Sequence, residues 1–137
     1  MNNVGRRTNF IIVDDSELDC FIAEKLVKHS GISKEIKSFL KASDALEHII
    51  QSSHSTEGEV PTVILLDIVM PIMSGIDFVE EFEKLPSEIQ NKYIIFAFTS
   101  SMNKKDMTRM KSYKSVKCLF DKPLNADFLK PLLDELY

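Results

Sequence analysis

The sequence has 137 residues, which is the size of one ordinary domain and enough to close a hydrophobic core. Its 44% hydrophobic and 28% charged residues are typical of a soluble globular protein and exclude a disordered or fibrous one. Because 21 acidic residues stand against 17 basic ones, the formal charge is −4, and neither nucleic acid nor an anionic membrane is an expected partner. No apolar stretch is long enough for a membrane span or a signal peptide, so we expect a cytoplasmic protein with Cys20 and Cys118 as buried, reduced thiols.

The first half of the sequence alternates predicted strands and helices. Phe10 to Val13 is a continuous apolar run, which is typical of a strand buried on both faces. A helix follows, with Ser16 as its N-cap and Gly31 as its stop. Its larger apolar residues lie on one face, which we expect to pack on the sheet: Leu18, Phe21, Ile22 and Leu26. A weaker strand covers Glu35 to Leu40, and the next helix has apolar residues at helical spacing: Ala42, Ala45, Leu46, Ile49 and Ile50.

The second half continues the same alternation. The polar stretch from Gln51 to Glu59 predicts a surface loop, and Val60 to Leu66 predicts the third strand. The third helix ends at Pro86 and carries Phe78, Val79, Phe82 and Leu85. A fourth strand, a weakly patterned helix and a short fifth strand are then predicted at Tyr93 to Phe98, Asn103 to Tyr113 and Val116 to Phe120. The last helix contains Pro131, so it either begins late or bends there; its apolar residues are Phe128, Leu129, Leu132, Leu133 and Leu136.

Five strands separated by helices predict an α/β fold. Parallel strands need crossover connections, and right-handed crossovers place helices on both faces of the sheet. The expected architecture is therefore a three-layer αβα sandwich around a five-stranded parallel sheet. In such sheets ligands bind beyond the carboxyl ends of the strands, so the residues that follow each strand are the candidates for chemistry.

Charged and hydroxyl residues stand at these predicted strand ends. Asp14 and Asp15 follow the first strand, Asp67 the third, Thr99 the fourth and Lys122 the fifth. Three carboxylates in one crevice repel each other and lose hydration, which is costly unless a cation lies among them. Carboxylate oxygens suit Mg²⁺, and an ammonium group with a hydroxyl would complete a cradle for a phosphoryl group. The pattern indicates phosphoryl transfer, in which a protein mainly positions groups and neutralises charge.

Four segments in order carry a resemblance to a known family. They are Phe10 to Asp15, Leu65 to Gly75, Thr99-Ser100 and Asp121 to Pro123. With them the chain resembles the receiver domain of bacterial response regulators, the CheY-like family with a flavodoxin-like fold. The resemblance covers residues 9–137, leaves 1–8 as an N-terminal tail, and implies the strand order 2-1-3-4-5.

The resemblance also implies a role for each site residue. Asp67 would accept the phosphoryl group from a phosphohistidine, Lys122 would bind a phosphoryl oxygen, and Thr99 would move its hydroxyl onto the phosphoryl group. Asp15 would hold Mg²⁺ directly and Asp14 partly through water, with Asp67 and the backbone carbonyl of Val69 as further ligands. Pro123 would follow a cis peptide bond. Met70-Pro71 and Gly75 would shape the loop beside the acceptor.

Two departures from the family's usual pattern concern switching and phosphate lifetime. Leu119 stands where the family usually has an aromatic residue three positions before its lysine. The positions two after the acceptor and two after the hydroxyl are Val69 and Ser101. Since an apolar Val69 cannot orient an attacking water, we expect a fairly persistent phosphoaspartate.

The implied function is a signalling switch, not an enzyme that turns over an external substrate. The expected phosphodonor is a sensor histidine kinase or a histidine phosphotransfer protein. Because the sequence ends at Tyr137, we expect output by contact with an unidentified protein or by onward phosphotransfer. In relatives such contact often uses the surface of the helix near Asn103 to Tyr113, the strand after it and the last helix.

Three other classes of protein remain for comparison. A phosphatase with an aspartyl-phosphate intermediate usually needs Asp-x-Asp at one strand end, and Val69 stands where the second carboxylate would be. A nucleotide-binding domain needs a glycine-rich turn after a strand, where this chain has Asp14, Asp15 and Ser16. An inert scaffold on the same fold would have no chemical need for three carboxylates and a lysine at adjacent strand ends.

Overall fold

The computed structural model describes residues 7–52, 61–99, 104–122, 125–126 and 129–136. It contains five strands, β1 (Thr8–Val13), β2 (Ser33–Phe39), β3 (Thr62–Asp67), β4 (Tyr93–Thr99) and β5 (Val116–Asp121). The helices are α1 (Glu17–Ser30), α2 (Ala42–Gln51), α3 (Gly75–Phe82), α4 (Ser87–Gln90), α5 (Lys104–Lys111) and α6 (Leu129–Leu136). The short α4 was not predicted from the sequence.

The five strands form one parallel sheet in the order β2-β1-β3-β4-β5. This confirms the predicted fold class and the strand order that the family resemblance implied. Successive side chains of a strand point to opposite faces, so each central strand contributes to two cores. In β3, Ile64 and Leu66 belong to one core, and Val63 and Leu65 belong to the other.

Helices cover both faces and make the three layers. The residues of α2, α3 and α5 close the first core, with Ile49, Phe78 and Met110 fully buried. The residues of α1 and α6 close the second core, with Val27 and Leu132 fully buried. Within the described residues, no helix combines the length and the hydrophobicity that crossing a bilayer requires.

The prediction for the buried face of α1 is correct for Leu26, which packs against the second core, and wrong for the other three residues. Leu18, Phe21 and Ile22 lie on the exposed side, with relative exposures of 66%, 56% and 36%. The residues that α1 buries are the smaller Cys20, Ala23 and Val27. Small side chains let this helix approach the sheet closely beside the end of β1, and the larger apolar side chains are left facing solvent.

Both predicted ends of α1 are confirmed, whereas α3 ends at Phe82, before Leu85 and before the Pro86 that was predicted to end it. Ser16 caps α1 by accepting a hydrogen bond from the backbone N–H of Asp19 at 3.2 Å. Gly31 ends it in the left-handed conformation with φ of 77°. Pro131 is the third residue of α6 as described, and residues 127–128, which decide between a late start and a bend, lie outside the described part of the chain. The predicted loop residues 53–59, together with Asn103 and Phe128, lie outside the described part of the chain.

Both cysteines are free thiols in the structure. Cys20 is buried beneath the end of β1, where its Sγ donates to the carbonyl of Asp14 at 3.4 Å. Burial, followed by the charge of Asp14, raises the pKa of the Cys20 thiol to about 11. A thiol with so high a pKa is a poor nucleophile and acts as core filler. Cys118 is only partly buried, contrary to the expectation of two buried thiols.

Candidate functional site

The carboxyl ends of four strands meet at one edge of the sheet and bring the predicted residues to it. Asp14 directly follows β1, Asp67 ends β3, Thr99 ends β4 and Lys122 directly follows β5. Asp67 is 5% exposed and Asp14 is 6% exposed, whereas Asp15 faces solvent. Carboxylate oxygens of Asp14, Asp15 and Asp67 all lie within 4.8 Å of one another. The convergence that was expected at the carboxyl ends of the parallel strands is therefore present.

Backbone contacts hold the two buried carboxylates in place. One carboxylate oxygen of Asp14 accepts a hydrogen bond from the N–H of Ser16 at 3.0 Å, and the backbone N–H of Asp14 donates to the carbonyl of Phe39 at 3.1 Å. One oxygen of Asp67 accepts from the N–H of Val69 at 3.3 Å. Each of these two aspartates therefore forms a short turn with the residue two positions later.

Gly75 allows α3 to pack directly on the end of β3. Its N–H donates to the carbonyl of Ile68 at 2.8 Å. A Cβ at this position would lie 2.6 Å from the carbonyl oxygen of Asp67 and 2.7 Å from the Cα of Ile68. Both neighbours are backbone atoms that cannot rotate away, so any side chain at position 75 would displace the strand end that carries Asp67.

Lys122 lies opposite the carboxylates and contacts more of them than the sequence indicated. Its Nζ is 2.7 Å from an oxygen of Asp14 and 3.6 Å from an oxygen of Asp67. It also donates to Asp19, in the first turn of α1, at 2.8 Å. The side chain of Lys122 is 15% exposed, so these contacts lie in a partly desolvated crevice.

Burial and neighbouring negative charge make Asp67 an unusual carboxylate. Desolvation by burial, followed by the charge of Asp14, raises the pKa of Asp67 from 3.8 to about 7, although Lys122 and the N–H of Val69 act in the opposite direction. Burial alone would lower the pKa of Lys122. Hydrogen bonds to Asp14 and Asp19 and the charge of Asp67 outweigh that effect and raise it, so Lys122 stays protonated. The site therefore has one fixed positive charge and an excess of carboxylates.

Thr99 and Val69 lie near this cluster, and their assigned roles remain predictions. Thr99 is 2% exposed, and its carbonyl accepts a hydrogen bond from the backbone N–H of Lys122 at 2.8 Å. Val69 is 50% exposed on the loop after Asp67. Ser101, which was expected to affect phosphate lifetime, and Pro123, with its predicted cis bond, lie outside the described residues.

The position where the family usually has an aromatic residue lies between the sheet and the helix layer. Leu119 packs against the core formed with α2, α3 and α5, and Phe120 packs against the opposite core. Phe120 is therefore not a substitute for the missing aromatic ring, as its position in the strand predicted. Tyr113 packs against the same core as Leu119, and its hydroxyl donates to Glu80 of α3 at 2.6 Å.

Sequence reasoning missed two residues around the site. Asp19 lies three positions after the helix cap Ser16, which itself follows Asp14 and Asp15, and that placement is visible in the sequence. Its partner Lys122, however, is 103 positions away. Ile72 is fully exposed and has φ of 67°. A β-branched residue in this conformation is uncommon, because its Cβ crowds the backbone. No sequence pattern would have indicated strain at Ile72.

Comparisons with known proteins agree with this geometry. The family model described as response regulator receiver domain matches residues 10–134. A response regulator receiver protein from Dyadobacter fermentans is similar at 32% identity and a TM-score of 0.77, with 93% of this chain and 96% of that chain covered. A two-component response regulator from Cytophaga hutchinsonii has 22% identity and a TM-score of 0.84, with 95% and 96% covered. The chemotaxis protein CheY4 of Vibrio cholerae has 20% identity and a TM-score of 0.71, with 96% and 99% covered. The search of curated proteins found no match.

The chain belongs to the response regulator receiver domain family. Its fold is that of the CheY-like receivers, and its family works in two-component signalling. Receiver domains are signalling switches that interact with histidine kinases or phosphotransfer proteins and generally bind Mg²⁺. The cluster of Asp14, Asp15 and Asp67 supplies the acidic ligands that such binding needs.

Proposed function

We propose that this receiver accepts a phosphoryl group on Asp67 from the phosphohistidine of a sensor kinase or a phosphotransfer protein. The single observation that carries the proposal is the position of Asp67, buried between two further carboxylates and 3.6 Å from Lys122. A carboxylate oxygen of Asp67 attacks phosphorus, and the bond from phosphorus to the donor imidazole breaks. The imidazole leaves with the bonding electron pair and takes up a proton, and the aspartate becomes an acyl phosphate.

The residues present fit a divalent cation. Three carboxylate oxygens within 4.8 Å of one another match the hard oxygen ligands of Mg²⁺. Burial first, and then the charge of Asp14, raises the pKa of Asp67, so its ionised form is disfavoured in the free site and a cation beside it would favour that form. Asp14, Asp15, Asp67 and the carbonyl of Val69 would hold Mg²⁺. When bound, Mg²⁺ would neutralise negative charge on the carboxylates and the phosphoryl oxygens.

Lys122 and Thr99 are assigned to the phosphoryl group itself. Lys122 remains protonated beside Asp67, which gives it a fixed charge for a phosphoryl oxygen. Thr99 ends the neighbouring strand β4 and brings a hydroxyl to the same edge. These residues assist phosphorylation of their own aspartate and its later hydrolysis. With Val69 in place of a second carboxylate, the site has no acid–base partner of the kind that phosphatases place there, so we propose no turnover of external substrates.

Exposed apolar residues beside the site fit the docking of a phosphodonor protein. Leu18, Phe21 and Ile22 form an exposed face of α1, whose N-terminus follows Asp15. Val69 and the fully exposed Ile72 lie on the loop that follows Asp67. Apolar side chains at the mouth of a charged crevice are typical of a surface that binds another protein. We assign output to the surface of α5, β5 and α6, or to onward phosphotransfer from Asp67. The two free cysteines fit a cytoplasmic location, where thiols stay reduced.

Incubation with acetyl phosphate and Mg²⁺, followed by intact-protein mass measurement, tests the proposal. We expect one added phosphoryl group on the wild type and none on Asp67→Asn or in the presence of EDTA. The exposed Asp44→Asn variant is a control that should be phosphorylated like the wild type. A phosphoryl group that persists on Asp67→Asn would refute the assignment of the acceptor. A wild type that acquires no phosphoryl group from acetyl phosphate or from phosphorylated histidine kinases would support a scaffold instead.

A further inference from the structure

Two helices of this protein, α1 and α3, begin with the same local sequence pattern, a serine followed three positions later by an aspartate. Helix α3 begins with Ser74 and has Asp77 three positions later, and α1 begins with Ser16 and has Asp19 three positions later. In both helices the serine hydroxyl accepts a hydrogen bond from the aspartate N–H, at 3.2 Å in each case. The first half of a capping box is therefore made twice.

The second half of the capping box is made only in α3. There the carboxylate of Asp77 accepts a hydrogen bond from the N–H of Ser74 at 3.1 Å. In α1 the N–H of Ser16 donates to Asp14 instead, at 3.0 Å. The carboxylate of Asp19 is thereby released from capping and contacts Lys122 at 2.8 Å. The carboxylate of Asp19 therefore contacts the lysine of the site and does not cap its own helix.

We propose that Asp19 is a positioning residue that fixes the ammonium group of Lys122 for the phosphoryl group on Asp67. An ammonium group has three N–H donors. Asp14 and Asp19 accept two of them at 2.7 Å and 2.8 Å, and Asp67 at 3.6 Å is beyond hydrogen-bonding distance. The third donor is thus left for an oxygen that arrives on Asp67. The proposal deepens the proposed function and depends on it.

The location of Asp19 suits this role better than that of a metal ligand. It lies outside the three-carboxylate cluster of Asp14, Asp15 and Asp67, so its contact with Lys122 does not compete with a cation. Without Asp19, the long side chain of Lys122 would regain freedom or would pair directly with Asp67 and block its oxygens. Either change slows attack of Asp67 on a phosphodonor.

The first test compares Asp19→Asn with Asp77→Asn, because both variants remove a carboxylate three positions after a serine cap. We measure the initial rate at which acetyl phosphate and Mg²⁺ phosphorylate each protein, as an Asp67–phosphorus bond forms and acetate leaves with the electron pair of the broken bond. Asp19→Asn should react about three- to tenfold more slowly than the wild type, and Asp77→Asn should react at the wild-type rate. Equal rates for the two variants would overturn the proposal.

The second test asks whether Asp19 acts through Lys122. In a double-mutant cycle, Asp19→Asn should have no further effect on the rate once Lys122→Gln is present. An equal slowing in both backgrounds would assign Asp19 a role independent of Lys122 and would overturn the proposal.

A third measurement needs neither metal nor phosphate. In EDTA, limiting acetic anhydride followed by peptide mass mapping reports the reactivity of each lysine amine. Acetylation of Lys122 should increase about threefold or more in Asp19→Asn, because one of its two close partners is lost, and should stay unchanged in Asp77→Asn. Unchanged labelling in Asp19→Asn would overturn the proposal. A wild type that shows this protection of Lys122 but is never phosphorylated would refute the proposed function and leave the contact between Asp19 and Lys122 established.

Discussion

Replacing Asp67 with asparagine should stabilise the metal-free protein, by an amount that grows as the pH rises. In the folded protein the pKa of Asp67 is about 7, against 3.8 for an ordinary aspartate. A raised folded pKa gives a stabilising contribution that is complete below the unfolded pKa and is lost as the pH rises through the folded pKa. The wild type therefore loses stability from this group between about pH 4 and pH 7, and the neutral amide of Asp67→Asn loses none.

The magnitude follows from the difference between the two pKa values. Each pH unit of difference corresponds to about 1.4 kcal/mol, so full ionisation of Asp67 costs about 4 kcal/mol. The stability advantage of Asp67→Asn should therefore grow by about 2 to 3 kcal/mol between about pH 5 and about pH 8. Urea denaturation in EDTA at a series of pH values measures this difference, with the exposed Asp44→Asn as the control.

An Asp67→Asn variant whose stability relative to the wild type does not change with pH would refute the reasoning. A variant less stable than the wild type at about pH 8 would also refute it, because the carboxylate would then stabilise the fold. Added Mg²⁺ at about pH 8 should reduce the advantage of the variant, since the proposed site holds the ion next to Asp67 and the variant lacks that carboxylate.

The remaining predictions concern the backbone and the loop around Asp67. Gly75→Ala should lower the free energy of unfolding by about 2 to 4 kcal/mol and strongly reduce phosphorylation, because the new Cβ would lie 2.6 Å from a backbone oxygen. Gly31→Ala is the control, because a Cβ there meets no atom within 4 Å. It should lower the free energy of unfolding by only about 1 to 2 kcal/mol, owing to the positive φ, and leave phosphorylation intact. Val69→Asn should shorten the lifetime of the phosphoaspartate in a mass-detected decay assay, because an amide can orient the attacking water, and an unchanged lifetime would contradict the role given to Val69. Ile72→Gly should raise the urea midpoint of unfolding, because glycine removes the strain at φ of 67°. The same variant should accept a phosphoryl group more slowly than the wild type from a phosphorylated kinase, but equally fast from acetyl phosphate. Equal rates of the variant and the wild type with the kinase would exclude Ile72 from docking.

The sequence predicted the layers and the site because both depend on short-range patterns. A run of buried residues such as Phe10 to Val13 has few alternatives to a central parallel strand. Once the strands are parallel, their carboxyl ends must share an edge. With the strand order that the family resemblance implied, Asp14, Asp67 and the long side chain of Lys122 were expected at one part of that edge, although more than a hundred positions separate the first from the last.

The orientation of α1 could not be predicted in the same way. The helix has two apolar stripes, one of large residues including Leu18 and Phe21 and one of small residues including Cys20 and Ala23. Hydrophobicity favours the large stripe, but close packing of the helix on the sheet favours the small one. The choice is made by the shape of the sheet surface, which local periodicity does not contain.

The contact of Asp19 with Lys122 was unpredictable for a related reason. The Ser-x-x-Asp pattern at the start of α1 indicates a capping box, and the identical pattern at Ser74 and Asp77 forms one. In α1, however, the N–H of Ser16 donates to Asp14, so Asp19 does not accept that hydrogen bond. This competition between a local partner and a distant one is decided by three-dimensional geometry.

A crystal structure of the protein with Mg²⁺ and beryllofluoride, which mimics an acyl phosphate, tests the central claim most directly. We predict that the cation binds the carboxylates of Asp15 and Asp67 and the carbonyl of Val69, with beryllofluoride on Asp67 in contact with Lys122 and Thr99. A cation bound at another surface, or an Asp67 that carries no beryllofluoride at saturating concentration, would contradict the claim that this cluster is built for phosphoryl transfer.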